Sequence, residues 1–228
     1  MKKIIFLHGA LGCSENFDTI RNEVQSNFDT YSFDFYGHGS LSSHDGAFSI
    51  ENFTAQLRDF ITENSLSEAD IFAYSMGGYV ALNYCLQYKV NKIKLMTFAT
   101  KFDWNPITAQ KEVKMLNPDK IIEKVPKFAD DLIRMHGDNW KIMLQKSADL
   151  MLRTGENPLL TPDMLSSLTN KVRVCVGDKD LMVSIDESML IQRSLQNSSL
   201  TVFPDTAHPL NKININRLKY EIIDFFSK

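Results

Sequence analysis

The chain has 228 residues, a formal net charge of -3 and 43% hydrophobic residues, which suits one α/β domain with an insertion and a sizeable core. The slight negative balance argues against nucleic acid or an anionic membrane as the main partner, and no apolar run approaches the length of a membrane span. Cys13, Cys85 and Cys175 are odd in number and unpatterned, so reduced thiols are expected. The apolar run from Ile4 meets a polar turn at His8, too soon for a signal peptide, so a cytoplasmic location is expected. No Cys/His cluster has metal-ligand spacing, and no metal or organic cofactor is expected. No feature sets an oligomeric state.

Taken in order, Lys3 to Leu7 predicts a strand that stops at His8-Gly9-Ala10-Leu11-Gly12. Ser14 is placed to cap a helix with Phe17, Ile20 and Val24 inward. His8 has two readings. It is a turn histidine bonded to neighbouring backbone, or its turn presents a backbone N–H, that of Ala10, to a reacting group. Thr30 to Phe35 predicts a second strand ending in Asp34-Phe-Tyr-Gly37-His38-Gly39-Ser40, where glycines on both sides of His38 indicate a tight, partly left-handed turn and a structural histidine. His44 is expected to be exposed. Ser49 caps a helix with Ile50, Phe53, Leu57, Phe60 and Ile61 on one stripe.

Ile71 to Tyr74 is a short apolar β run that meets Ser75 and then two glycines. Beyond them Tyr79, Val80, Leu82, Cys85 and Leu86 recur at helical spacing. This predicts strand, sharp turn and helix with a serine at the apex; a serine capping a helix is the bland alternative. Ile93 to Phe98 is a further buried strand. From Lys101 to about Met164 there is no strand signal, only helices punctuated by prolines and glycines, with two clear ones at 126–136 and 138–154. This block is not needed to complete a sheet and reads as a lid. Strand character returns at Val172 to Val176, ending in Gly177-Asp178-Lys179-Asp180. A capping box of Ser184 and Glu187 then opens a helix. Leu200 to Phe203 is the last strand, before Pro204-Asp205-Thr206-Ala207-His208-Pro209, and a terminal helix displays Leu218, Ile222, Phe225 and Phe226.

About six β runs alternating with helices imply a parallel sheet covered on both faces, with reactive groups gathered at the carboxyl ends of the strands. Ser75, the His-Gly turn, Asp180 and His208 all fall there. The strings LHGALG, DFYGHGS, AYSMGG, VGDKD and TAHP, in that order over nearly the whole chain, resemble the α/β-hydrolase superfamily, with Ala73 standing where the G-x-S-x-G elbow has its first glycine. The resemblance implies an α/β-hydrolase fold: a mostly parallel sheet of about six strands with helices on both faces, a core at 1–100 and 165–228, and a helical lid at 101–164.

It further implies a triad of Ser75, Asp180 and His208 in the family's order. A serine hydroxyl is a weak nucleophile and needs an imidazole base; the acid holds the ring's tautomer. Backbone N–H groups of Ala10 and Met76 are the implied oxyanion donors. Asp180 is chosen because the family places the acid three residues after the glycine, with Asp103 and Asp178 as competitors and His136 as the competitor of His208. The implied activity is hydrolysis of a carboxylic ester or thioester by a serine esterase working through an acyl-enzyme, with a small acyl molecule as partner. A lyase or C–C hydrolase, as in the menaquinone-pathway cyclohexadiene synthase, is the alternative, for which Lys101, Arg134 or Arg153 would meet a carboxylate. A non-catalytic ligand-binding protein is the other. Leu11, Trp104, Phe128, Trp140 and Met143 are candidates for the substrate pocket, or else join lid to core.

Overall fold

The computed structural model describes residues 1–228. The strands β1 (Lys2–Leu7), β2 (Phe28–Ser32), β3 (Asp70–Tyr74), β4 (Leu95–Phe98), β5 (Lys171–Gly177) and β6 (Asn197–Phe203) form one sheet in the order β2-β1-β3-β4-β5-β6. Every pairing is parallel. Chain progression reverses between β1 and β3, so the turns after these two strands diverge and leave a crevice at their carboxyl ends.

Both faces are apolar because side chains alternate along each strand and helices cover both sides. Ile4, Phe6, Phe72, Met96 and Phe98 meet Ile20 and Val24 of α1 (Asp18–Val24) and, from the far end of the chain, Leu218, Ile222 and Phe225. Ile5, Leu7, Ile71, Ala73, Leu95 and Val174 point the other way, onto α2 (Ile50–Glu63) and α3 (Met76–Tyr88). Between β4 and β5 the chain runs through α4 (Pro106–Val113), α5 (Pro118–Lys124), α6 (Pro126–His136), α7 (Trp140–Glu156) and the single turn α8 (Pro162–Leu165), with no strand. The last two helices are α9 (Ile185–Ser194) and α10 (Ile215–Ser227).

Three local expectations need correction. The second strand starts two residues before Thr30, where Phe28 pairs with Lys2, and ends three before Phe35, because Asp34 and Phe35 make other bonds. The Phe35 N–H donates to His8 Nε2 at 3.0 Å, and the Asp34 carboxylate accepts from the N–H groups of Ser14 and Ser40, each at 2.7 Å. Ser14 is therefore not a cap; the turn is opened at Cys13, whose N–H donates to Asn16 Oδ1. The capping box at Ser184 is only half formed. Ser184 Oγ accepts from the Glu187 N–H, but the Glu187 carboxylate crosses to the N–H groups of Phe102 and Asp103. Ser49 caps α2 as expected. His38 is fully buried, between Gly37 and Gly39 at φ +77° and +49°.

Candidate active site

Ser75 sits between β3 and α3 at φ 51°, ψ -119°, a region a non-glycine residue occupies only under constraint. Its N–H donates to Phe98 O at 2.8 Å, and Thr100 Oγ1 donates to Ser75 O at 3.1 Å. A Cβ at position 77 would lie 2.6 Å from Leu7 O and 2.8 Å from His8 O, so glycine is needed where α3 starts against β1. Position 73 makes no such demand, and the Ala73 methyl packs in the core.

The turns after β5 and β6 are fastened together. Asp178 and Lys179 N–H donate to Phe203 O and Thr206 O, and the Thr206 N–H returns to Asp178 Oδ1, each at 3.0 Å. This brings His208 to Ser75: its Nε2 lies 3.5 Å from Ser75 Oγ, and its Nδ1 lies 2.7 Å from Asp180 Oδ2. The Asp180 carboxylate has no solvent exposure, and its Oδ1 accepts from the N–H groups of Met182 at 2.8 Å and Val183 at 2.9 Å. A carboxylate held by three donors accepts the Nδ1–H, which leaves Nε2 free to act as a base toward Ser75. Tyr74 was not singled out by the sequence. Its hydroxyl donates to His208 O at 2.8 Å, and burial pushes its phenol pKa up; a buried tyrosine beside the serine requires such a partner.

The competitors make other bonds. Asp103 is exposed and accepts from Asn105 Nδ2. Asp178 is exposed too, and the Thr206 N–H it accepts holds its carboxyl below the usual range. His136 is buried at the end of α6, where it accepts from the Gly39 N–H at 3.0 Å and directs Nε2 at Leu11 O.

His8 is bonded to backbone on both ring nitrogens, as the first of its two readings expects. Its Nδ1–H donates at 2.8 Å to Gly9 O, which belongs to the peptide that carries the Ala10 N–H, while its Nε2 accepts from Phe35. Ala10 O accepts from His38 Nε2 at 2.7 Å and from Ser147 Oγ at 3.2 Å. Neither the Ala10 nor the Met76 N–H is spent on a backbone carbonyl, and Met76 opens α3, where helical N–H groups lack partners and favour negative charge.

Ala10, Ser75 and Met76 line a narrow cleft of about 40 Å³, with Ile50, Tyr79, Leu150, Met151 and Met182 among its apolar walls. Of the five side chains expected around substrate, Trp104 alone is in that lining. Trp140 and Met143 are buried in the core cluster and Leu11 packs against it, while Phe128 is 38% exposed on α6. The cations separate in the same way. Lys101 lines the cleft, Arg134 is exposed and pairs with Glu15, and Arg153 donates to Phe48 O. No group of three or more His, Cys, Asp or Glu residues is arranged to hold a metal ion, and no helix is long and apolar enough to cross a membrane.

The family model for the alpha/beta hydrolase fold matches residues 2–117. The chain belongs to the α/β-hydrolase family of enzymes. Among relatives by sequence is a "Probable alcohol acetyltransferase" of Wickerhamomyces anomalus, 26% identical over 170 residues, which are 74% of this chain and 47% of that protein. Ethanol acetyltransferase 1 of Kluyveromyces lactis is 24% identical over 189 residues, 82% of this chain and 49% of that one. The chain thus spans about half the length of these relatives. Among solved structures, a thermophilic esterase from Thermogutta terrifontis superposes with a TM-score of 0.80 at 18% identity, covering 100% of this chain and 90% of the esterase. MGS-M2, an α/β-hydrolase enzyme from a Medee basin deep-sea metagenome library, reaches 0.83 at 15% identity with the same coverage. At such identities the likeness is one of fold.

Proposed function

We propose that the chain is a serine hydrolase that cleaves short-chain carboxylic esters or thioesters through an acyl-enzyme. The observation that carries this reading is the line Ser75 Oγ, His208, Asp180, with separations of 3.5 Å and 2.7 Å, opening into one apolar cleft. Ser75 Oγ attacks the substrate carbonyl as its proton passes to His208 Nε2, and Asp180 stabilises the imidazolium that forms. The oxyanion is received by the N–H groups of Met76 and Ala10; losing one such donor typically costs about 10²- to 10³-fold in rate. Collapse expels the alcohol or thiol, which takes the proton from His208. Water then repeats the sequence to release the acid.

The size of the cleft supports a small acyl group. Ile50, Tyr79, Leu150 and Met151 crowd the cleft beside Ser75 and leave about 40 Å³ free, which suits an acetyl or propionyl chain better than a fatty one. Helix α7 and the segment at 101–104 would then act as a lid over the core. A second reading is favoured by the names of the sequence relatives: an alcohol, held among apolar walls, replaces water in the second step, so that acetyl transfer accompanies hydrolysis. Three buried free thiols fit the reducing cytoplasm as location.

The test is a panel of p-nitrophenyl esters from acetate to octanoate, followed by acetate ester turnover with and without added ethanol. The reading expects the highest kcat/KM at acetate or propionate. Ethyl ester formed at the expense of free acid would mark the transferase reading. Rates at background for every ester would remove both.

A further inference from the structure

Lys101 is 7% exposed, yet it lines the cleft together with Ser75. Its ammonium carries three donors. One is used on Met182 O at 3.1 Å. The neighbouring carboxylate, Glu112, stands 4.0 Å away, close enough to balance charge but too far for a hydrogen bond. Glu112 Oε1 itself has no hydrogen-bond partner. The Trp104 ring lies 5.8 Å from Nζ. A buried ammonium with donors to spare, on a residue that lines the cleft beside Ser75, is costly unless something else accepts from it.

The backbone that carries Lys101 is fixed on both sides. Thr100 Oγ1 is tied to Ser75 O, the N–H groups of Phe102 and Asp103 are held by Glu187, and Trp104 Nε1 donates to Lys101 O at 3.1 Å. The Lys101 backbone is thus registered to Ser75 through Thr100, and its ammonium is held at the far end of the side chain by Met182 O. A substrate that placed an acceptor oxygen against Nζ would complete its bonding. Since Glu112 already offsets the positive charge, an uncharged oxygen suits the position better than a second carboxylate, which would leave excess negative charge in an apolar cleft.

Resting on the hydrolase reading above, we propose that Lys101 is a specificity-determining residue that recognises an uncharged acceptor oxygen, an ether, hydroxyl or keto group, on the acyl or alcohol part of the substrate. The preferred class is then short oxygen-bearing esters, not plain alkyl esters of the same shape.

The experiment compares matched esters by pH-stat titration. Ethyl methoxyacetate against ethyl butanoate tests the acyl side, and 2-methoxyethyl acetate against butyl acetate tests the alcohol side. Monoethyl malonate supplies the charged counterpart. Each kcat/KM is divided by that ester's hydroxide-catalysed rate constant to remove intrinsic reactivity. At least a tenfold preference for the ether member is expected in one pair, the order of a hydrogen bond to a charged group. Lys101→Met, and the double variant Lys101→Met/Glu112→Gln that leaves no unpaired buried carboxylate, should bring the ratio close to one. Melting temperature and fluorophosphonate labelling of Ser75 report folding and site integrity in each variant. Labelling without an oxygen preference, a preference that survives both variants, or a preference for the malonate alone would each overturn the assignment of Lys101. Neither labelling nor turnover would overturn the hydrolase reading, and this inference with it.

Discussion

The acid proposed for the relay differs from its rivals at the level of single bonds. Asp180 accepts from two backbone N–H groups and from His208, whereas Asp178 supports the turn that carries His208 and Asp103 faces solvent. Asp180→Asn should therefore lower kcat by about 10⁴-fold, because the amide favours the wrong imidazole tautomer, while Asp103→Asn should leave turnover within about threefold. Steady-state kinetics on the best ester checks both; near-normal turnover in the first would remove Asp180 from the mechanism. Ser75→Ala, His208→Ala and their double variant should all fall to about the same residual rate, since the members work as a unit. A double variant far slower than either single would show that the two act independently.

At the scale of elements, a group of buried histidines joins the turn after β1, the loop after β2 and the end of α6. Their ring centroids are 5.1 Å apart for His8 and His38 and 5.9 Å apart for His38 and His136. His8 and His136 each accept a backbone N–H on one nitrogen, which only a neutral ring can do. Burial drives the His8 pKa down to about 3, and burial lowers that of His136 as well. Below pH 6.5 the unfolded chain binds protons at these positions that the folded chain refuses. Stability is thus fully present above that pH and falls as pH drops, for His8 until about pH 3, at up to about 1.4 kcal/mol per pH unit for each histidine. Urea midpoints measured at pH 7 and pH 5 should show a clear decline; equal midpoints would contradict the neutral network. The elbow makes a second demand. Gly77→Ala would press a methyl group on Leu7 O and His8 O, and should cost at least about 2 kcal/mol or prevent soluble expression; wild-type stability would show that β1 yields.

For the whole molecule, the order and type of the strands were legible because apolar runs, glycine turns and caps recur at regular spacing. That Ser75, Asp180 and His208 would come together was legible because each stands just beyond such a run. Contacts made by side chains far apart in sequence were not. Nothing local in Glu187 says that it leaves its own helix to hold Phe102 and Asp103, and nothing in Trp140 or Met143 separates a core residue from a cleft residue. The strand at Phe28–Ser32 was displaced by the same cause, since His8 takes the Phe35 N–H. Helix α7 from the insertion contributes Leu150 and Met151 to the cleft, so under the proposed hydrolase reading its packing on the core would bound the acyl group. Met151→Ala should move the optimum of the ester series to longer chains by one or more carbons; an unchanged profile would mean that α7 does not bound the acyl group.

Intact-mass and peptide mapping after treatment with a fluorophosphonate weighs most directly on the relay from Asp180 through His208 to Ser75. A single adduct on Ser75 is expected in the native chain, formed at least about a hundredfold more slowly in His208→Ala. A folded protein that takes no label at Ser75, or takes it equally fast without the imidazole, would contradict that relay.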